Sequence, residues 1–528
     1  MKKTILFALL CAAMLHAQRT TDWWAFGGDS QRDGWGKNEQ SFTKDDVKNF
    51  RLLWQQKLDN STQGSKAQTG VGALLPPVVL GRLIGYRGFK ELAFVAGSNN
   101  KLWAIDADLN RLYWVEGFDV GMEKKKSKTK GEHACNDSLT SAPALLGPLV
   151  FHTVAPGAKP AGRYASPSIR FSRPQPVFLL TGDGKLRQLN QSDGTDVTKP
   201  LPFVPAGAKA QALNISDETI LTTTHEACGQ DAAVWSIDTA DDSPKAKSFK
   251  LGADVAGMGG VALGSDGTVY VQTESGPLDP DIGKFGGVLL ALTKDLTVSS
   301  YFVLPPAEGK ASAPNMNSTS PLVISVKNED FVVTANKDGR LYVLKGSSVG
   351  SDDHHHYASR SPVLPRLDGN KSHGIWGALS SWQDTDGTRY VLAPVWGPLS
   401  DELLAAIPGT KAPNGSIVAL KVVVDNTGAP TLQPAWVSRD LDSPVPPVIA
   451  KGIVFALSNG KFNDKDEPRR GTHATLYAFD GVTGQELYST KDQVNTAGNL
   501  TGLTVVNGRV YFSTVDNTVQ VFGKYLEP

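Results

Sequence analysis

The chain has 528 residues, with 53 Lys and Arg against 53 Asp and Glu, so its summed field favours neither nucleic acid nor an anionic membrane surface. Beyond the N-terminus no apolar stretch is long enough to cross a bilayer as a helix. Its 53 glycines punctuate short apolar runs that end in turn signals, and long amphipathic helical patterns are nearly absent, which predicts an all-β protein.

In chain order, Lys2 and Lys3 followed by the apolar run from Ile5 to Leu15 read as a secretory signal over residues 1–17, with Ala17 at the cleavage position. The mature protein is therefore expected in the periplasm or outside the cell. The bulky Leu10 before Cys11 argues against a lipid-anchored alternative. Residues 18–50 read as an arm in which Trp23, Trp24 and Trp35 cover apolar surface of the main body, with ligand stacking as the competing role. Thr43 and Asp46 predict a capped helical turn. The basic run Lys124 to Lys130 reads as a solvated loop between repeats.

From Leu75 onward a unit recurs: a short apolar strand, a second ending at Gly or Asn, a third of the form hydrophobic-Tyr/Trp-Ala-hydrophobic-Asp, then a fourth. The clearest copies run from Leu75 to Gly117 and from Pro446 to Thr490. Eight first strands can be counted, and the last unit, Leu503 to Gly523, has only three strands. An isolated strand, Arg51 to Asp59, precedes the first unit and is expected to pair with the last, closing a ring and hiding its open edges. The expected fold is an eight-bladed β-propeller of four-stranded antiparallel blades over residues 51–528. A β-sandwich pair or a linear solenoid is the alternative, and a solenoid would not need the displaced strand.

These repeats resemble the pyrroloquinoline quinone (PQQ) dehydrogenase-like propeller family. Its docking motif is Ala-x-Asp-x-x-Thr-Gly-x-x-x-Trp, in which the Trp of one blade packs on its neighbour. Ala104, Asp106 and Trp114 match it, with Asn110 in place of Gly; Ala478, Asp480, Thr483 and Gly484 match, with Tyr488 in place of Trp. The opening DWWAFGGDSQRDGW is also similar to exported members. The resemblance implies the fold strongly and the activity weakly. Dehydrogenases of the family hold the quinone between a Trp and a disulfide of adjacent cysteines, bind calcium, and often carry a haem on Cys-x-x-Cys-His; this chain has neither cysteine motif, and non-catalytic members serve as scaffolds.

Strand counting places the loops entering each first strand, and those joining second to third strands, at one end of the ring. His133, Cys135, Asn315, Asn317, His373, Trp376, Asn495 and Asn499 fall in the first set; Asn99, Asp183, His225, Glu226, Cys228, Glu274, Lys337, Asp338 and Trp396 fall in the second. The long insertions Gly276 to Gly286, Gly397 to Gly415 and Lys461 to Thr472 share this end, which predicts a binding mouth, with a ligand-free cap as the alternative. Cys135 and Cys228 are expected to form a disulfide; with His133 and His225 they could instead form a zinc site. The tract His354 to His356 falls on the opposite end, as a surface feature.

From the resemblance, PQQ is expected on Trp376, with Lys337, His373 and His225 as cofactor-binding residues and with Glu226 and Asn317 as calcium ligands. The implied activity is a quinoprotein oxidoreductase of alcohols or sugars, with no catalytic residue assigned. The alternative is a non-catalytic scaffold for a protein or cell-envelope partner. The expected partners are a small-molecule ligand or an envelope protein, without nucleic acid, and the expected state is a monomer.

Overall fold

The computed structural model describes residues 21–60, 74–85, 88–120, 138–146, 175–306, 316–426, 428–460 and 473–525. The expected signal, Cys135 and the insertion Lys461 to Thr472 lie outside the described residues. Eight blades built on four antiparallel strands follow one another along the chain; the sixth carries an extra short strand and the seventh is joined by Trp35–Gly36 of the arm in parallel. Blades 1 to 7 occupy residues 78–117, 144–202, 214–250, 262–303, 322–360, 374–437 and 448–489; blade 8 combines 504–523 with 51–57. No helix among the described residues is long and apolar enough to cross a membrane.

Burial explains the repeat. In blade 1 the second strand, Gly88–Gly97, carries Leu92 to Ala96 without exposure, because both of its faces pack against neighbouring blades. The fourth strand, Arg111–Gly117, lies at the rim and is partly exposed throughout. The middle strands of blade 1 therefore read as nearly continuous apolar runs and its outer fourth strand as mixed sequence.

The ring closes as expected. Arg51–Lys57 pairs antiparallel with Thr518–Gly523, from Arg51 opposite Gly523 to Lys57 opposite Thr518. The indole Nε1 of Trp54, on this strand, donates to the Ala107 carbonyl of blade 1 at 3.0 Å. Trp114 makes the same contact from blade 1 to Gln191 O of blade 2 (2.9 Å), and Trp436 from blade 6 to Gly481 O of blade 7 (2.9 Å). Gly484 shows why the motif wants glycine: its φ is +72°, and a Cβ there would meet the Trp436 ring at 2.7 Å. Asn110, the substitute in blade 1, also adopts a positive φ of 48°, which Asn tolerates better than most residues.

The arm does more than cover apolar surface. It threads the axis and bonds the inner edge of every blade. Trp23 exchanges two backbone bonds with Val79 (2.8 and 3.0 Å), and Leu145 N donates to Trp24 O (2.7 Å). Leu263 N donates to Ser30 O, Val323 N to Gln31 O, Ser381 N to Asp33 O and Ile449 N to Gly34 O. The Asn214 side chain of blade 3 donates to Ser30 O, and the Glu39 carboxylate accepts from Gly508 N of blade 8. Backbone groups facing the channel would otherwise form a ring of unpaired edges, and the arm satisfies them. The predicted helical turn is present as Lys44–Val47, with a Thr43–Asp46 capping box.

Candidate functional site

The floor of the mouth comes from the arm. Phe26 points toward the entry segments, where a Cβ on Gly259 would lie 3.0 Å from its ring and one on Gly502 3.4 Å. Beside it Arg32, 2 % exposed, donates to the carbonyls of Phe26, Ala212, Leu213 and Val261 and so ties the arm to blades 3 and 4. Burial lowers its pKa to about 9, with Asp29 opposing the shift. The cavity that Phe26, Arg32, Ala378, Pro446, Val448 and Leu503 line is about 20 Å³, room for one water.

Above this floor, groups from blades 3 to 6 meet in sequence. The His225 Nδ1 lies 3.0 Å from Asp254 Oδ1, which also accepts from Glu226 N (3.0 Å). Burial works to raise the Asp254 carboxyl, but His225 and the backbone donors of Glu226 and Val255 outweigh it and leave the pKa below the usual carboxylate value. The Asp254 carbonyl accepts from Glu274 N at 2.7 Å. The Glu274 carboxylate pairs with Lys337 Nζ at 2.8 Å and accepts from the Ser318 hydroxyl. Lys337 also donates to Met316 O (2.9 Å) and Ser318 Oγ (3.3 Å).

Asn317 is fully buried and exchanges bonds with Ile375, its Oδ1 accepting from Ile375 N at 2.7 Å. Trp376 follows directly. Its ring stacks on Trp396 with centroids 4.5 Å apart and planes at 21°, is partly exposed, and has a buried Nε1 without a hydrogen-bond partner. His373 bonds Asp368 and Asn370, each at 3.0 Å, and its ring covers Gly397 next to Trp396.

The structure thus brings Lys337, Asn317 and Trp376 into one neighbourhood and links His225 to it through Asp254 and Glu274. His373 sits at its edge. Glu226 is exposed beside Asp254, whereas Asn317 lies at the junction of blades 5 and 6, and no bond joins the two expected calcium ligands. Among the described residues, no group of three or more His, Cys, Asp or Glu could hold a metal ion. Cys228 is disulfide-bonded.

Asp254 and Ser318 were not singled out from sequence, and Glu274 was placed at the mouth without a role. A usable signal existed for Glu274. Glu226, Glu274 and Lys337 each stand two residues past the end of their blade's second strand, Thr219–Thr224, Val269–Gln272 and Glu329–Ala335. Equal offsets in adjacent blades place side chains side by side around the mouth.

The fold is an eight-bladed β-propeller, similar to that of several solved quinoprotein dehydrogenases. Similar solved structures include the quinohemoprotein alcohol dehydrogenase of Comamonas testosteroni, 14% identical with a TM-score of 0.54, covering 98% of this chain and 83% of that one. A quinohemoprotein alcohol dehydrogenase of Pseudomonas putida HK5 is 13% identical with a TM-score of 0.56, covering 96% and 81%. A europium-containing methanol dehydrogenase is 12% identical with a TM-score of 0.55, covering 95% and 98%. No family model and no curated protein sequence matches the chain.

Proposed function

We propose that this chain is an exported propeller whose mouth binds a planar, multiply anionic quinone of the PQQ type, and that the loaded protein is an oxidoreductase of alcohols or sugars. The observation that carries the reading is Trp376: a partly exposed indole, backed by Trp396, whose backbone pairs with that of Met316, the carbonyl acceptor of the Lys337 ammonium. An aromatic face with a cation in the same neighbourhood suits a flat ligand bearing carboxylate oxygens. The bound quinone would supply the two-electron acceptor for oxidation of an alcohol to a carbonyl compound. In this reading Trp376 stacks the ring, Lys337 offsets its charge, His225 and His373 flank it, and the Phe26–Arg32 floor closes the channel so that ligand enters and leaves by one end.

Calcium has a weaker basis. Asn317 Oδ1 is engaged by Ile375 N and Glu226 stands apart, so no step is assigned to a metal held by that pair. Pairing of Cys228 with Cys135 belongs to the same proposal, and peptide mapping of the exported protein without reductant checks it.

A second reading, a scaffold for a protein or envelope partner, draws support from the insertion in blade 4. Its hairpin, Leu278–Asp279 with Lys284–Phe285, presents Leu278 and Ile282 at 40% and 63% exposure. Titration with PQQ, followed by tryptophan fluorescence and by dye reduction with alcohols, separates the two. Under the first reading Trp376→Ala and Lys337→Ala each weaken binding by about tenfold or more. Binding by wild type that neither change weakens would place the quinone elsewhere, and no binding at all favours the scaffold.

A further inference from the structure

We infer that the Glu274 carboxylate is an internal guard on Lys337, occupying the position an incoming anionic group must take and leaving only when such a group replaces it. The inference deepens the quinone-binding reading and depends on it only for the identity of the anion.

The geometry is specific. An ammonium group has three donors. Two of the partners around Lys337 Nζ, Met316 O and Ser318 Oγ, are neutral and come from the segment entering its own blade. Glu274, a charged partner, comes from blade 4 and accepts from Lys337 and Ser318 on separate oxygens. The side chains of Lys337 and Glu274 are 16% and 11% exposed, so the pair is largely desolvated yet reaches the mouth. The Glu274 backbone is bonded on both sides, N to Asp254 O and O to Gly287 N, so a carboxylate that gives way does so by side-chain rotation and not by movement of the strand end.

Withdrawing the carboxylate alone would take a counter-charge at 2.8 Å away from a largely desolvated ammonium, which is costly. Exchange for another anion keeps the charge compensated. The contact therefore resists adventitious monovalent anions and yields to a ligand that brings several charges and a stacking surface together. Glu274 competes with that ligand, so removing its charge should strengthen binding.

The test combines two measurements on the full mature chain of wild type, Glu274→Gln and Glu274→Asp. PQQ affinity is read from tryptophan fluorescence; acylation of Lys337 by an amine-reactive ester is read by peptide mass spectrometry without PQQ. The expectation is about tenfold tighter PQQ binding by Glu274→Gln, on the scale of one close charge pair, with faster acylation of Lys337. Glu274→Asp, which keeps the charge on a shorter stem and guards folding against loss of the counter-ion, should fall between. Unchanged acylation in Glu274→Gln overturns the guard. Weaker PQQ binding by that variant also overturns it while leaving the quinone reading intact. Faster acylation in a protein that binds no PQQ upholds the guard and removes the quinone reading.

Discussion

The two seams flanking blade 8 solve one packing problem with opposite chemistry. Toward blade 1 the seam is polar and buried: the Tyr511 hydroxyl donates to Glu91 Oε1 at 2.7 Å, and Arg509 pairs with Glu91 at 2.8 Å and with Asp108 at 2.9 Å. Toward blade 7 it is aromatic, with Phe42 and Phe50 of the arm and Tyr488 packed around Phe455. The polar seam joins the two ends of the propeller chain, where strands separated by some 400 residues must find each other. Directional bonds fix their register there. The aromatic seam joins neighbours in sequence and is sealed by the arm. If this division is right, loss of chain-end contacts, pH and single hydroxyl groups should act on the two seams differently.

The largest effect is expected from removing residues 21–57. The loss exposes the Thr518–Gly523 edge, uncovers the inner strands of all eight blades and opens the aromatic seam. The truncated protein should aggregate. Size-exclusion chromatography and thermal melting check this, and a monomer melting like the full chain would show that neither the closing strand nor the arm is needed.

Next in size is Arg509→Met, which leaves the nearly buried Glu91 without its counter-ion. Breaking such a pair from one side costs about 3–5 kcal/mol, read as a fall in the denaturation midpoint. A loss under about 1 kcal/mol would assign closure to strand pairing alone.

The polar seam also predicts a pH dependence. Burial raises the Glu91 carboxyl to about 7, against the Arg509 charge and the Tyr511 hydrogen bond. A carboxyl raised on folding contributes stability that is fully present below its unfolded pKa of about 4.5 and is lost as pH rises through about 7. Asp33 on the arm, raised to about 7 by burial and by Asp29 against Lys37, acts in the same direction. The melting temperature should fall between pH 4.5 and 7.5, and Glu91→Gln should flatten part of that slope. An unchanged slope would leave Asp33 as its source.

The sequence made the ring legible because the repeat is a burial pattern. Leu92 to Ala96 and Phe455 to Leu457 are apolar for the same reason, and the missing fourth strand of the last unit pointed to Arg51–Lys57. The docking tryptophans were half legible: Trp114 stands in a recognisable motif, whereas Trp54 and Trp436 make the same indole-to-carbonyl bond without a motif that stood out. The course of the arm along the axis was hidden, because backbone bonds such as Leu263 N to Ser30 O depend on shape rather than side-chain type. Strand counting put Lys337, Asn317, Trp376 and Glu274 in loops at one end of the ring but did not give the pairing of Glu274 with Lys337. Pairing is a property of rotamers, and loop membership says nothing of it.

The smallest effect concerns the place where the aromatic seam departs from the docking motif. Tyr488 stands where the motif has Trp, and its hydroxyl is buried without a hydrogen-bond partner; burial pushes its pKa up to about 12. The ring is held by Phe50 at 6.2 Å, edge to face, a contact that needs no hydroxyl. An unpaired buried hydroxyl is a cost that folding must overcome, so Tyr488→Phe should be neutral or stabilising, by up to about 1 kcal/mol. Tyr511→Phe is the matched control in the polar seam. There the lost hydroxyl leaves a Glu91 oxygen without its donor, and the change should destabilise by about 1–3 kcal/mol. Denaturation midpoints of the two variants, measured together, compare the same atom removed from both sides of one blade. Equal losses would mean that Tyr488 has a bonding partner after all and that the two seams share one chemistry.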